Sequence, residues 1–257
     1  MIPYREAKAT KVKKSKHKGK GGSSASGSQL RERSQSPTRP LYFFTPNERY
    51  GEFSQWYRSK FTVTADEIKA VIGRDLEDVH DDQVADPESG DPESGDPESG
   101  AAAAAAGPDY LTFRCAEQFM MYCKAARFGD RETQRLVMAT DSPKEQKRLG
   151  RAVDGFDDGG WDEVKSAVVV AGNMAKFGQN APLGRALLAT GDRLLVEAAS
   201  RDRVWGIGYT AKTAPHRRKH WGENRLGVAL MEVRARLRER EQGRKGEEWQ
   251  EQEGEGE

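Results

Sequence analysis

The chain has 257 residues, of which 35% are hydrophobic and 32% are charged. It is less apolar than an ordinary globular domain, so we expect one folded domain diluted by disordered segments. Two cysteines are too few for a disulfide framework and fit a reducing compartment. No apolar run approaches the roughly 18 residues of a membrane span, and the N-terminus lacks the apolar core of a signal peptide. We therefore expect an intracellular protein, cytoplasmic or nuclear, with no membrane partner.

The net charge of +1 conceals strong segregation of charge along the chain. Residues 1–22 carry a net charge of +7, residues 66–98 carry −11 and residues 239–257 carry −5, which leaves +10 on the rest. A basic folded part favours a ligand that bears phosphate, without choosing between a nucleotide and a polymer. The lysine-rich N-terminal tail is either a nuclear-import or nucleic-acid contact, or a solubilising tail.

The first 107 residues predict a short ordered stretch between two disordered ones. Residues 1–40 are rich in Lys, Gly, Ser and Pro and cannot bury enough apolar surface to offset chain entropy. LYFF at 41–44 and KFTV at 60–63 then predict two strands with a turn between them. From about 66 to 107, an acidic segment with three DPESG repeats and six alanines predicts a disordered surface insertion.

From residue 108 onward the pattern is that of continuous structure. YLTF at 110–113 predicts a strand, and a helix with an apolar face follows it. Ser142, Pro143 and Glu145 together mark a helix start. Apolar positions within 161–178 have the spacing of one face of a long helix.

The last predicted elements are a strand at 194–196 and an amphipathic helix over 226–237. Residues 239–257 predict a disordered acidic tail. The predicted fold class is α+β, a mostly helical single domain over residues 41–238 with a small β-sheet. It is flanked by disordered tails and carries the acidic low-complexity insertion.

Two residues near helix starts are candidates for chemistry, each with a structural alternative. Glu117 opens a helix whose other early positions are largely apolar, so its carboxylate is either a capping group or a placed functional acid. Trp161 opens the long helix, and its residue type at that position is more typical of a core side chain.

Two glycine-containing segments are further candidates. Asp202, Trp205, Gly206 and Gly208 lie in one turn, which suits either a stacked base with a polar anchor or a tight structural loop. Asn224 precedes the last helix and is either a plain N-cap or part of a phosphate site at the helix start. The four histidines lack partners at ligand spacing, and neither a Walker A nor a Rossmann pattern occurs, so we predict no metal and no cofactor.

Nine segments, taken in order, resemble the NADAR family, which includes bacterial riboflavin-biosynthesis intermediate N-glycosidases. This resemblance covers about 41–65 and 108–238. The matching segments are YFF (42–44), GEFSQWY (51–57), FTV (61–63), CAEQFMMYCKAARFGD (115–130), DSPKEQKRLGR (141–151), WDEV (161–164), NMAKFGQN (173–180), LLATGDRLLVEAASRDRVWGIG (187–208) and GENRLGVALMEVR (222–234).

The resemblance implies a hydrolase that cleaves an N-glycosidic bond to a ribosyl or ADP-ribosyl group. The substrate would be ADP-ribosylated guanine, alone or in nucleic acid, or a riboflavin-pathway ribosylamino intermediate. The chain departs from the family pattern at one position. Similar sequences usually have Ser-Asn where this chain has Ser54-Gln55, so the amide of Gln55 lies one methylene further out. The residues implied to be catalytic are Glu117, Asp202 and Trp161, and those implied to bind substrate are Gln55, Trp56, Trp205, Gly206, Gly208 and Asn224.

Two other functions stay open at this point. The first is a non-catalytic module that binds ADP-ribose or nucleic acid, since phosphate contacts need no chemistry. The second is a scaffold whose acidic insertion binds partners.

Overall fold

Four short strands form two separate pairs in the computed structural model, which describes residues 39–74 and 110–254, with side chains to residue 244. Strand β1 (Leu41–Phe43) runs parallel to β4 (Leu195–Glu197). Strand β2 (Phe61–Thr64) runs antiparallel to β3 (Tyr110–Phe113). The two strands on either side of the first turn, β1 and β2, therefore pair with different partners.

Helices make up most of the described chain, all of which lies within one unit, Pro37–Glu257. The predicted α+β, mostly helical class is thus confirmed. None of the helices in residues 39–74 and 110–254 is long and apolar enough to cross a membrane. The α-helices are α1 (Ala65–Ile72), α2 (Ala116–Phe128), α3 (Arg131–Ala139), α4 (Pro143–Gly150), α5 (Asp158–Gln179), α6 (Ala181–Leu188) and α7 (Arg225–Gly254), and two 3-10 helices cover Gly51–Phe53 and Ala214–His220.

Helix α2 lies at the centre of the core. Residues 116–123 are all buried, and the helix packs against α3, α4 and α5. Phe119 meets Phe113 of β3 edge to face, with ring centroids 5.1 Å apart. Each buried ring of this kind contributes about 1.5–3 kcal/mol. A helix buried this completely holds the residues of its first turn, including Glu117, in a fixed position.

Helix α5 forms a second part of the core and confirms the predicted long helix. It packs against α2, α6 and α7, and Val168 and Phe177 on its inner face are buried. The helix begins where Asp157 accepts a hydrogen bond from the N–H of Gly160 at 2.5 Å, which satisfies one of the free donors of the first turn. This N-terminal turn carries Trp161.

Two predicted boundaries differ from the structure by more than one or two residues. The insertion was expected to begin at about 66, but α1 occupies Ala65–Ile72 and starts with a capping box between Thr64 and Glu67. Ile68 and Ile72, four residues apart on one face, are fully buried, so this stretch belongs to the core.

The sequence predicts a disordered tail at 239–257, but residues 239–254 belong to α7, which continues to Gly254. Its Arg, Glu and Gln residues are polar but favour a helix, so polarity alone did not mark the end of the element. Residues 1–38 of the tail predicted over 1–40, and residues 75–107 of the insertion predicted from about 66 to 107, lie outside the described residues.

Candidate active site

A cleft of about 740 Å³ lies at the start of helix α2. Its walls come from the loop after β1, from α2 and α4, from the first turn of α5, and from the segment that begins at the end of β4. A volume of this size suits a small ligand or one nucleotide of a larger one. Six of the nine predicted site residues line it, namely Gln55, Trp56, Glu117, Trp161, Asp202 and Trp205.

Glu117 is a buried acid, with 5% of its surface exposed. Burial raises the pKa of Glu117 to about 7, and Asp202 also raises it. Lys147 and a hydrogen bond from the indole N–H of Trp56 act in the opposite direction. Pairing with Trp56 inside a cleft favours the functional interpretation of this glutamate over helix capping. A carboxyl group with this pKa can gain or lose a proton near neutral pH.

The segment that contains Gln55 is fastened to helix α5 by two buried side chains. The ammonium group of Lys176 donates to the carbonyl oxygens of Glu52 at 2.8 Å and Ser54 at 2.9 Å. Burial lowers the pKa of Lys176 to about 7. Asn173 donates from Nδ2 to Oε1 of Gln55 at 3.0 Å. Because Oε1 is engaged, the NH₂ group of Gln55 is the end of its amide that remains for a ligand.

The side chain of Asp202 is fixed by hydrogen bonds to the backbone that follows it. Its Oδ1 accepts hydrogen bonds from the backbone N–H groups of Val204 at 2.9 Å and Trp205 at 2.8 Å. Such a turn fixes an aspartate side chain relative to the backbone. The turn uses Oδ1 only, so Oδ2 remains for a ligand at the cleft.

Trp161 combines the two roles that the sequence left open. It is 7% exposed and packs within the main hydrophobic core. It also lines the cleft. Core packing on one side leaves its ring rigidly placed as a wall of the site.

Gly206, Gly208 and Asn224 do not line the cleft. The N–H of Gly208 donates to the carbonyl of Ala199 at 3.1 Å, and the N–H of Asn224 donates to that of Gly206 at 3.3 Å. A Cβ on Gly206 would lie 2.9 Å from the carbonyl oxygen of Glu197, and Gly208 has a φ of +75°. Close packing and turn geometry therefore account for the glycines, and the N–H groups of Gly208 and Asn224 are engaged within the protein rather than available to phosphate.

Asn224 fastens strand β4 to the start of α7. Its Oδ1 accepts from the N–H of Glu197, and its Nδ2 donates to the carbonyl oxygen of Leu195, both at 2.9 Å. The residue has a φ of 55°, a left-handed conformation that asparagine tolerates better than most residues. Asn224 therefore fixes the position of Glu197 and lies behind the cleft.

Glu197 is a cleft residue that the sequence reasoning missed. It is the last residue of β4, and its Oε2 atom is buried without a hydrogen-bond partner. Burial raises the pKa of Glu197 to about 8, and Asp202 and Glu117 also raise it, whereas Lys147 lowers it. The available signal was a single acid within the apolar run LLVEAA at 194–199.

Cationic side chains on the cleft wall were also missed. Lys147 belongs to α4, Arg151 follows that helix, and Lys124 belongs to α2. Lys124 donates to the carbonyl of Gly150 at 2.7 Å, and burial lowers the pKa of Lys124. Together these side chains give the cleft a positive wall of the kind that attracts phosphate groups.

The sequence pattern of the NADAR domain matches residues 42–238, which is most of the chain. The chain belongs to the NADAR family. The match spans every element that lines the cleft, from the loop after β1 to the start of α7. The NADAR assignment therefore covers the whole site.

Two relatives of this NADAR chain are named as N-glycosidases. N-glycosidase R617 of Acanthamoeba polyphaga mimivirus is 40% identical over 130 residues, which cover 50% of this chain and 76% of that protein. N-glycosidase YbiA of Escherichia coli (strain K12) is 35% identical over 116 residues, which cover 45% of this chain and 67% of that protein. The general class of the chain is accordingly that of an N-glycosidase.

A solved structure extends the comparison to the fold. The NMR structure of the E. coli protein YbiA matches with a TM-score of 0.52 and 22% sequence identity, covering 82% of this chain and 92% of that one. At this level of identity, the match shows that the two proteins share a fold.

Proposed function

We propose that the chain hydrolyses the N-glycosidic bond between a heterocyclic base and a ribosyl or ADP-ribosyl group. The observation that carries this proposal is the buried Glu117 in the cleft, bonded to Trp56 and facing Asp202. The relatives named N-glycosidases support the type of bond. The cationic wall supports a phosphate-bearing sugar, as in ADP-ribosylated guanine or a phosphorylated ribosylamino intermediate of the riboflavin pathway.

Glu117 acts as the general base in this mechanism. Cleavage of a glycosidic bond passes through a state that resembles an oxocarbenium ion. Glu117, with a pKa of about 7, takes a proton from water as the water oxygen attacks C1′. The bond from C1′ to the base nitrogen breaks, and its electron pair leaves with the base. Asp202 orients the ribose hydroxyls and stabilises the developing positive charge through Oδ2.

Aromatic and cationic side chains bind the parts of the substrate that do not react. The buried ring of Trp161 provides a wall for the planar base. Lys147 and Arg151 contact the phosphate, in place of the helix start at Asn224 that the sequence suggested. The NH₂ group of Gln55 donates to an acceptor on the base or the ribose.

The proposal is tested with a substrate panel on the wild-type protein and on Glu117→Gln. The panel contains an ADP-ribosylated guanine oligonucleotide and a 5′-phosphorylated ribosylamino-pyrimidine. Loss of the general base in Glu117→Gln lowers kcat by a factor on the order of 10²–10⁴. Binding of ADP-ribose or ribose 5-phosphate, measured by calorimetry, changes little. Glu163→Gln is the matched control, because Glu163 is an exposed glutamate of α5 that pairs with Arg127.

Two outcomes contradict parts of this proposal. Near-normal hydrolysis by Glu117→Gln removes Glu117 from the mechanism. Tight binding of ADP-ribose by a wild-type protein that cleaves no member of the panel identifies a non-catalytic reader instead. The cationic wall of the cleft is the observation that favours this second candidate, because it serves binding as well as catalysis.

A further inference from the structure

Glu197 occupies a fixed position in the cleft that the mechanism above does not use. Its N–H donates to Asn224 at 2.9 Å, and its carbonyl accepts from the N–H of Ile207 at 3.0 Å. Glu197 lines the same cleft as Glu117 and Asp202. The backbone of Glu197 is thus held on both sides, and the residue borders the space where a substrate would bind.

The surroundings of Glu197 disfavour its charged form. Oε2 is buried without a hydrogen-bond partner, so an ionised carboxylate would lack a donor at that atom. Two other acids face it, Glu117 from α2 and Asp202 from the loop after β4, and Lys147 from α4 is the cation that opposes them. Burial and these neighbours raise the pKa of Glu197 to about 8.

The two glutamates of the cleft differ in how they are hydrogen-bonded. Glu117 receives the indole N–H of Trp56, which favours its carboxylate form. The carboxyl oxygen Oε2 of Glu197 receives no donor. When one proton is present on the pair, it therefore resides on Glu197. Two acids whose environments separate their proton affinities are the usual arrangement for a base and an acid in one site.

We propose that Glu197 is the general acid that protonates the departing base, an inference that rests on the proposed N-glycoside hydrolysis. As the bond from C1′ to the base nitrogen breaks, the electron pair stays on that nitrogen, which takes the proton of Glu197. Glu117 meanwhile takes a proton from the attacking water, whose oxygen becomes the C1′ hydroxyl of the sugar. Afterwards Glu117 returns its proton to solvent and Glu197 regains one, so that the reaction consumes one water molecule.

The test compares wild type with Glu197→Gln on N-ribosides whose bases differ in their need for a proton. The panel adds nicotinamide mononucleotide and NAD⁺, whose nicotinamide leaves as a neutral molecule without protonation, to the guanine and pyrimidine substrates above. For the substrates that need a proton, the ratio of kcat in the variant to kcat in wild type falls by a factor on the order of 10²–10⁴. For the nicotinamide substrates the same ratio stays near one. Glu232→Gln, an exposed glutamate of α7 that pairs with Arg236, is the control.

A second measurement needs only one substrate. The wild-type pH profile of kcat/KM is bell-shaped, with an acidic limb from Glu117 and a basic limb from Glu197. Glu197→Gln removes the basic limb and keeps the acidic one. A structural role for Glu197 would lower the whole profile without changing its shape.

Three results overturn the proposal. One is an equal loss of activity on every substrate, and another is a basic limb that survives in Glu197→Gln. The third is an unfolded variant, because glutamine reproduces the size and the neutral state that the proposal assigns to Glu197. A wild-type protein that cleaves no panel member refutes the proposed function itself, and that result is recognised before any variant is compared.

Discussion

At Gln55, one methylene separates this chain from the Ser-Asn pattern that the resemblance to the family implies. The longer side chain reaches Asn173 on helix α5, with 3.0 Å between Nδ2 and Oε1, while still lining the cleft. An asparagine at the same backbone position would hold its amide closer to the main chain. The substitution thus couples the loop of Gln55 to α5 through a side-chain bond.

We expect Gln55→Asn to lose this bond and to lower kcat/KM about fivefold, which corresponds to about 1 kcal/mol for one hydrogen bond. The change should appear mainly in KM, because the proposed mechanism gives the amide a contact with the substrate but not with the reacting atoms. Steady-state kinetics on one panel substrate measure it. Gln179→Asn makes the same chemical change at an exposed site that bonds Thr62, and should leave kcat/KM unchanged. Unaltered kinetics in Gln55→Asn would remove Gln55 from the binding site.

At the scale of elements, the junction of β4 and α7 fixes one wall of the site. Asn224 satisfies two backbone groups of β4, at Leu195 and Glu197, and adopts a left-handed backbone conformation to do so. The junction therefore depends on one side chain for both its hydrogen bonds and its geometry.

Asn224→Ala should lower the free energy of unfolding by about 2–4 kcal/mol, because two backbone groups lose their partners and alanine is strained at positive φ. Asn224→Gly, which is unstrained at that φ, should lose less. Urea unfolding measures both variants. A large loss of ADP-ribose affinity with normal stability would instead support the ligand contact that the sequence suggested for Asn224.

Local sequence predicts individual elements better than it predicts their partners. YLTF gives strand β3 to the residue, and the apolar spacing gives most of α5, because both signals lie within the element. The parallel pairing of β1 with β4 depends on the rest of the chain and has no local signal. Helix α1 was not predicted, because the acidic residues around it made the segment resemble the disordered insertion despite the buried pair Ile68 and Ile72.

The candidate site shows the same division. Glu117, Trp161 and Asp202 were candidates by residue type and position, the resemblance favoured their functional interpretation, and they do line one cleft. The phosphate contacts expected at the start of α7 were based on free N–H groups, which helix starts normally offer. Here those N–H groups donate hydrogen bonds to the carbonyl oxygens of residues 204–206. The sequence does not show this contact between two separate segments. Glu197 was missed because a single acid at the end of an apolar strand is common in sequences. Its functional interpretation depends on the position of α2, which the sequence does not show.

For the whole molecule, two buried ionisable groups, Glu117 and Lys176, and the partly buried Glu197 influence how stability changes with pH. The pKa of Glu117 is raised from 4.5 to about 7, and that of Glu197 from 4.5 to about 8. Their contribution to stability is fully present below pH 4.5 and is lost as pH rises through these values. Lys176, with its pKa lowered from 10.5 to about 7, contributes in the opposite sense, with stability present above 10.5 and lost as pH falls to 7.

We expect Glu117→Gln to melt at nearly the wild-type temperature at pH 4 and at a higher temperature at pH 8. Glutamine cannot ionise, so the variant avoids a buried charge worth up to about 3 kcal/mol at the higher pH. Differential scanning calorimetry across this range measures the difference. Glu145→Gln is the control. Arg148 pairs with the exposed Glu145 and lowers the pKa of Glu145, so this variant should show no increase in melting temperature at pH 8. A gain in Glu117→Gln that is equal at both pH values would contradict the buried charge.

The pairing of β1 with β4 also determines when the site can form during synthesis. The two strands lie about 150 residues apart in the chain, so their contact is among the most non-local in the fold and closes a long loop. On the ribosome, β1 emerges early and its hydrogen-bonding edge stays unpaired until β4 has followed, a state that invites wrong association. Asn224, which fastens β4, emerges later still. The nascent chain therefore completes its cleft only when translation of the domain is nearly finished, and no early fragment contains a working site.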